Sequence, residues 1–110
     1  FATDDIFETS AVLDVNGFTR LSVPASYYAE TQEQFDLDKS FVADLKSHNI
    51  LYDQDAAGVY FQLYSETLFD GFFFEIVQRR NGYAGYGARN VPVRLAAQTE
   101  LKYTTERAST

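Results

Sequence analysis

The most apolar run of the chain is Gly71-Phe72-Phe73-Phe74-Glu75-Ile76-Val77, and we expect a strand of the central sheet over residues 71–78. Successive side chains of a strand point to opposite faces, so Phe73 and Glu75 share one face. An ionised carboxylate in such a run is costly unless it has a partner. Glu75 therefore binds a metal, pairs with Arg79, Arg20 or a lysine, or carries a proton. These three explanations stay open from residue types alone.

The segment before this run predicts its partner strand. Residues 50–52 and 59–65 read as two strands joined by a turn at residues 55–58. Alternation places Tyr60, Gln62 and Tyr64 on one face of the second strand. If the strands pair, Glu75 lies on the same face as Gln62, among aromatic side chains. An aromatic wall with a few polar groups is typical of a binding cavity.

The remaining elements are predicted to be mainly helical. A first helix is capped by Thr3 and ends at Asn16-Gly17, and a short strand follows over residues 18–23. Residues 26–48 predict two helices with a break at residues 36–38, and Asn90 is expected to cap a last helix. Helices beside a largely antiparallel sheet make an α+β fold, here a single domain over residues 1–110.

Composition excludes several classes of function. The chain has 110 residues, 45% of them hydrophobic, with a net charge of −7 and no cysteine. The acidic balance argues against a nucleic-acid partner, and no apolar run reaches transmembrane length. The lack of cysteine excludes a thiolate metal site and is compatible with the cytoplasm. The first residue is Phe1 and methionine is absent, so we expect the chain to begin inside a longer polypeptide.

The sequence evidence that other residues form a functional site is weak. His48 is the only histidine and stands near the end of a polar helix, where a surface position is the simplest interpretation. One histidine cannot supply an iron site of two histidines and one carboxylate. The glycines at 82, 85 and 87 lack the context of a nucleotide-binding loop and are read as turn residues.

Several segments occur in the order seen in 4-hydroxyphenylpyruvate dioxygenases, which have the vicinal oxygen chelate fold. These are Pro24-Ala25-Ser26-Tyr27-Tyr28, Ile50-Leu51-Tyr52-Asp53, Phe61-Gln62-Leu63-Tyr64-Ser65-Glu66 and Phe72-Phe73-Phe74-Glu75-Ile76-Val77-Gln78-Arg79. Residues 82–90 and 92–98 resemble bacterial fusion proteins in which a barrel with 3-dehydroshikimate dehydratase activity precedes a dioxygenase-like half. The resemblance implies a β-α-β-β-β module with its first strand truncated, the C-terminal fragment of a longer protein.

The resemblance also implies roles for individual residues. Glu75 matches the carboxylate of a site formed by two histidines and one glutamate, and both histidines are expected outside this chain. Gln62 and Phe73 match residues that line the dioxygenase cavity. Tyr86 stands where the dioxygenases carry a phenylalanine that packs on the substrate ring, which makes the site more polar. Asn90 matches the asparagine that opens the helix covering the cavity.

The function implied is that of a metal-binding module. Fe(II) is the expected divalent metal, with Mn, Co or Mg as alternatives, and a small aromatic or 2-oxo acid is the expected substrate. We expect the module to belong to the dehydratase fusion, to act in a homo-oligomer, and to contain no catalytic residue of its own. The alternatives are the C-terminal part of a true 4-hydroxyphenylpyruvate dioxygenase and a non-catalytic assembly module.

Overall fold

The computed structural model describes residues 1–17, 19–66, 73–85 and 87–108, without the side chains of residues 88 and 100–108. The elements in chain order are α1 (Ile6–Val15), α2 (Ala25–Phe35), α3 (Lys39–Ser47), β1 (Leu51–Gln54), β2 (Val59–Tyr64), β3 (Glu75–Arg80), a 3-10 turn (Ala88–Asn90) and α4 (Val91–Ala108). The predicted α+β class and the break between the two middle helices are confirmed. In the described part of the chain, no helix has the length and apolar character needed to cross a bilayer.

The sheet has the strand order β1-β2-β3 and is antiparallel. Residues 1–3 lie along the free edge of β3 through a parallel bridge between Ala2 and Val77. Thr3 N donates to Val77 O at 2.9 Å, and Val77 N donates to Phe1 O at 2.8 Å. This short pairing of residues 1–3 was not predicted, because the first strand of the module was expected to be cut away before residue 1.

The hydrophobic core lies on one face of the sheet, around the fully buried Phe61. The rings of Phe7 from α1, Phe41 from α3 and Tyr52 from β1 meet Phe61 edge-on, at centroid distances of 6.0, 6.1 and 5.6 Å. Such edge-to-face contacts add to the hydrophobic gain from burying the rings. Helices α1 and α3 cover this face. Since successive residues of a strand point to opposite faces, Gln62 and Tyr64 lie on the other face, away from Phe61.

The N-terminus of α1 differs from the prediction. Asp5, not Thr3, is the N-cap, and its Oδ1 accepts a hydrogen bond from Glu8 N at 3.1 Å. Thr3 instead lies in the segment paired with β3, which takes it out of the helix. A second free amide, Ile6 N, donates to Oε1 of the buried Gln78 at 2.8 Å. The helix start is therefore attached to the sheet by a strand side chain as well as by its own cap.

The strand predicted for residues 18–23 is wrong within the described residues 19–23. Arg20 forms a single antiparallel bridge with Ser65, and Leu21 N donates to Tyr64 O at 2.9 Å. The segment lies beyond the end of β1, and its backbone–backbone hydrogen bonds to the described residues run to Tyr64 and Glu66. Pro24 then begins the turn into α2. Residue 18 lies outside the described part of the chain.

Strand β3 begins at Glu75, later than the predicted start, and ends at Arg80. Residues 71 and 72 lie outside the described residues, and Phe73 and Phe74 precede the strand. Phe74 is held to the end of β2 all the same: Ser65 N donates to Phe74 O at 2.9 Å, and Phe74 N donates to Ser65 Oγ at 2.7 Å. The Ser65 hydroxyl thus replaces one backbone acceptor. The regular pattern of backbone hydrogen bonds between β2 and β3 ends there, and Glu75 is the first residue of β3.

Candidate metal centre and the network behind it

Glu75 is half-buried and lies opposite Tyr64 in the antiparallel register. Its Oε1 accepts hydrogen bonds from Gln62 Nε2 at 3.3 Å and from Tyr60 OH at 3.5 Å. Both are long bonds from neutral donors. Partial exposure and these two donors reduce the desolvation cost that the sequence suggested, and they leave the carboxylate able to bind a cation.

No ion pair to Glu75 occurs among the residues that the structure describes. The one ion pair in that part of the chain joins Arg20 to Asp14. The Arg79 guanidinium lies over the Tyr60 ring, 4.7 Å from its centroid. Both arginines proposed as partners of Glu75 therefore make other contacts, and the ion-pair explanation is wrong for them.

Gln62 is buried, and its amide orientation is set by its neighbours. Its Oε1 accepts a hydrogen bond from Asn90 Nδ2 at 2.7 Å, and its Nε2 donates to Tyr64 OH at 2.7 Å. Because the amide oxygen is taken by Asn90, the NH2 group is the end that faces Glu75. Gln62 therefore presents donors, not acceptors, at this carboxylate.

Asn90 is fully buried and determines that orientation. Its Nδ2 donates to Tyr52 O at 3.3 Å, and a carbonyl can only accept, so the Asn90 amide has one consistent assignment. Its Oδ1 accepts hydrogen bonds from Tyr27 OH at 2.8 Å and Arg89 Nη1 at 3.2 Å. The prediction that Asn90 caps the last helix is wrong, because its side chain is used in this network. The predicted start of the last helix is right, since α4 begins at Val91, directly after the 3-10 turn.

Arg89 joins the network to α2 and was not singled out from the sequence. Its Nη1 donates to Tyr52 O and to Tyr27 OH, the latter at 3.0 Å, and its Nη2 donates to Thr31 Oγ1 at 3.2 Å. Burial raises the pKa of Tyr27, so this phenol stays protonated and can donate. The only sequence signal for Arg89 is its place next to Asn90 after a glycine-rich loop.

Gly87 leaves room for the Gln62 amide. Its φ is +64°, a left-handed conformation that favours glycine, and a Cβ at this position would overlap the side-chain amide of Gln62. Its backbone N donates to Tyr83 OH at 3.1 Å. The interpretation of residue 87 as a turn glycine is therefore incomplete, because the missing side chain also makes space for a site residue.

Phe73 lies beside Glu75 and packs against Tyr64, with ring centroids 5.9 Å apart. The Arg94 guanidinium from α4 lies over both rings, 5.0 Å from the centroid of Phe73 and 5.7 Å from that of Tyr64. Burial raises the pKa of Tyr64, and the nearby charge of Glu75 raises it further. Tyr86 lies outside the described residues, so its expected contact with a ligand stays a prediction.

His48 lies on the other side of the sheet from Glu75. Its Nδ1 is 2.9 Å from Ser10 Oγ, and its ring meets Phe7 edge-on at 5.8 Å, on the face that holds Phe61. Within the described ranges, no three His, Cys, Asp or Glu side chains are grouped so as to hold a metal ion. These residues therefore supply one candidate ligand, Glu75, and do not complete a metal site by themselves.

Comparison with known proteins agrees with this geometry. No family model matches the chain. It is 46% identical over 103 residues to 3-dehydroshikimate dehydratase of Pseudomonas aeruginosa, covering 93% of this chain and 16% of that protein. It is 39% identical over 95 residues to 4-hydroxyphenylpyruvate dioxygenase of Yarrowia lipolytica, covering 80% of this chain and 24% of that enzyme. The chain thus spans about a sixth to a quarter of the length of these relatives.

Solved structures give the same result. A xylose isomerase-like TIM barrel/4-hydroxyphenylpyruvate dioxygenase fusion protein matches 92% of this chain with a TM-score of 0.85 and 46% identity, over 16% of its own length. A variant of 4-hydroxymandelate synthase from Streptomyces coelicolor matches 88% of this chain with a TM-score of 0.73 and 31% identity, over 27% of its own length. The chain therefore belongs to the 4-hydroxyphenylpyruvate dioxygenase-like family, with the fold of a truncated vicinal oxygen chelate module, and is similar to the dioxygenase-like part of a dehydratase fusion.

Proposed function

We propose that this chain is the part of a longer, metal-dependent protein that supplies Glu75 as one metal ligand. In this proposal residues 1–110 are one C-terminal module, and the remaining ligands are two histidines that precede residue 1. The family contains enzymes named for small aromatic substrates, so the proposed ligand is a small aromatic or 2-oxo acid. Fe(II) is the proposed metal, and Mn, Co and Mg are the alternatives.

The observation that carries this proposal is the parallel pairing of residues 1–3 with β3. Ala2 pairs with Val77, and Phe1 N donates to Glu75 O at 2.7 Å. Continued backwards by one residue, the same pairing brings the residue that precedes Phe1 opposite Glu75. Paired residues of neighbouring strands point to the same face. A histidine there would lie beside the Glu75 carboxylate, as a metal site of this kind requires.

The other residues of this face would position a ligand. When bound, Fe(II) supplies a Lewis acid and a site for oxygen activation. Gln62 directs its NH2 group towards Glu75 and orients the carboxylate through the 3.3 Å hydrogen bond. Asn90 keeps Gln62 in that orientation, and Phe73 and Tyr64 offer flat apolar surfaces. These side chains bind and orient, and we assign no proton transfer to them.

Metal content of the full-length polypeptide tests the proposal. Glu75→Gln keeps the size of the side chain and one acceptor oxygen but removes its charge. We expect the wild-type protein to hold about one equivalent of metal after dialysis, and Glu75→Gln to lose it. The exposed Glu30 of α2 supplies a matched control, because Glu30→Gln removes one charge from a helix surface instead of from β3. Full metal content in Glu75→Gln would show that Glu75 is not a ligand.

Two activities should then be measured separately. Oxygen uptake with 4-hydroxyphenylpyruvate that disappears in Glu75→Gln would support a dioxygenase role for this module. Dehydration of 3-dehydroshikimate that persists after removal of residues 1–110 would show that this module does not carry that reaction. A cytoplasmic location and a homo-oligomer stay predictions.

A non-catalytic assembly module is the second candidate. The described residues hold no complete group of metal-binding side chains, which fits this candidate as well as the first. On this hypothesis Glu75→Gln leaves metal content and both activities unchanged, and removal of residues 1–110 alters the oligomeric state. Size-exclusion chromatography with light scattering distinguishes it from the first proposal.

A further inference from the structure

The chain contains two asparagine–glycine pairs, Asn16-Gly17 and Asn81-Gly82, and an aromatic residue follows each of them. Asparagine before glycine is prone to deamidation, because glycine has no side chain to hinder attack by its own backbone nitrogen on the preceding amide. Both pairs are exposed. Since their local sequences are matched, a difference in their reactivity comes from the fold.

The first pair is held by the end of α1. Asn16 is the C-cap of this helix, and its Nδ2 donates to Val12 O at 2.9 Å. Gly17 N donates to Asp14 O at 3.1 Å. A helix carbonyl therefore holds both the side-chain amide and the nitrogen that would attack it. Both hydrogen bonds have to break before that nitrogen can reach Cγ of Asn16.

The second pair is held much less firmly. Asn81 and Gly82 are the central residues of the turn after β3, with φ of +58° and +82°. The hydrogen bond that closes this turn, from Tyr83 N to Arg80 O, is long at 3.4 Å. Neither the Asn81 side chain nor Gly82 N makes a hydrogen bond to another described residue. The space where a Cβ of Gly82 would stand is open, so the peptide unit has room to rotate.

We propose that Asn81 is a site of spontaneous deamidation and isomerisation, and that the fold protects Asn16 from the same reaction. Gly82 N attacks Cγ of Asn81. The N–Cγ bond forms, the Cγ–Nδ2 bond breaks, and the Gly82 amide proton leaves with Nδ2 as ammonia. Water then opens the cyclic imide at either of its two carbonyls, which gives aspartate or isoaspartate. The reaction consumes only water, so it is independent of the proposed function.

Isoaspartate would add one methylene group to the main chain at a closely packed turn. The turn lies directly on Gly58, where a Cβ would overlap the carbonyl oxygen of Arg80. Tyr83, two residues after Asn81, is buried and stacks on Tyr60 with ring centroids 4.8 Å apart. A longer turn would displace Tyr83 from this stack. We therefore expect isoaspartate, more than the added charge, to destabilise the fold.

Peptide mapping by mass spectrometry measures the two rates. The full-length polypeptide is incubated at mildly alkaline pH, and deamidation of each pair is followed in the same sample. We expect Asn81 to react at least about 10-fold faster than Asn16, which corresponds to a difference of about 1.4 kcal/mol in the barrier. In concentrated urea this ratio should fall, because the hydrogen bonds that hold Asn16 are lost. A ratio below about 10 in the folded protein, or one that urea does not lower, would overturn the proposal.

Two variants test the effect on the fold. Freshly prepared Asn81→Asp adds the charge without lengthening the main chain, and aspartate tolerates a positive φ, so its urea midpoint should equal that of the wild-type protein. Asn81→Gly also tolerates the turn but cannot deamidate at this position. Ageing should lower the urea midpoint of the wild-type protein and leave that of Asn81→Gly unchanged. An equal fall in both proteins would show that the damage arises elsewhere, and an equal fall in fresh Asn81→Asp would assign it to charge.

Discussion

Replacement of Asn90 by leucine should destabilise the protein strongly, because it removes the centre of a buried hydrogen-bond network. Asn90 is fully buried, and its amide makes hydrogen bonds to Gln62, Tyr52, Tyr27 and Arg89. Leucine has the same number of side-chain heavy atoms with the same branching at Cγ, so the loss comes from the polar groups left behind and not from a cavity.

The magnitude follows from which partners are left without a hydrogen bond. Tyr27 OH and Arg89 Nη1 both keep Tyr52 O as an acceptor. Gln62 Oε1 is buried and loses its donor, at a cost of about 1–3 kcal/mol. If the Gln62 amide rotates to avoid this, its oxygen faces the Glu75 carboxylate and the donor to Glu75 is lost. With the net loss of one further hydrogen bond, we expect a decrease of about 2–4 kcal/mol in the free energy of unfolding.

Urea unfolding followed by circular dichroism measures this decrease. At about 2 kcal/mol per molar urea, the midpoint should fall by about 1–2 M. The exposed Asn16 at the end of α1 is a matched control, and Asn16→Leu should change the free energy by less than about 1 kcal/mol. The double variant with Gln62→Leu removes both members of the central hydrogen bond. It should be less destabilised than the sum of the two single variants.

Two results would refute this reasoning. A decrease below about 0.5 kcal/mol for Asn90→Leu would mean that the network does not stabilise the fold. Additive effects of Asn90→Leu and Gln62→Leu, within about 0.3 kcal/mol, would mean that the two amides are not coupled.

Three further predictions concern glycine, charge and core positions. Gly87→Ala should destabilise by more than Gly82→Ala in urea unfolding, because both have positive φ but only a Cβ at Gly87 meets the glutamine amide; equal losses would exclude that contact. The hydrogen bond from Arg20 lowers the pKa of Asp14, so its stabilisation is present above the ordinary pKa of 3.8 and is lost as the pH falls through the lowered pKa. The difference in urea midpoint between wild type and Asp14→Asn should therefore shrink as the pH falls from 7 to 3, and a constant difference would contradict the ion pair. Phe61→Ala should cost about 3–5 kcal/mol in unfolding free energy, since Phe61 is fully buried, and a loss below about 1 kcal/mol would contradict its place in the core.

Part of the site was accessible from the sequence because strand alternation is a local property. Period-2 patterning placed Gln62, Tyr64 and Glu75 on one face, and the observed register brings Tyr64 opposite Glu75. The same patterning overestimated the length of β3, because alternation cannot show that the Ser65 hydroxyl replaces a backbone acceptor and ends the pairing with β2. It also placed a strand at residues 18–23, of which the described residues form only a single bridge between Arg20 and Ser65.

The roles of Asn90, Arg89 and Arg94 were not accessible in this way. An asparagine before a helix reads as a cap from local sequence, yet Asn90 is used by residues 28 to 63 positions away. The contacts of Arg94 with Phe73 and Tyr64 depend on where α4 crosses the sheet, which no periodicity encodes. Such contacts join elements distant in sequence, and only the packed chain specifies them.

By itself the sequence determined the α+β class, the helix break and the face on which Glu75 lies, since each follows from propensities and spacing within a few residues. The tertiary structure alone decided which neighbours Glu75 has. The described part of the fold pairs Arg20 with Asp14, places Arg79 over Tyr60, and turns the Gln62 amide towards the carboxylate. Burial is the physical reason: a buried polar group must find a partner, and the available partners are set by packing between distant segments.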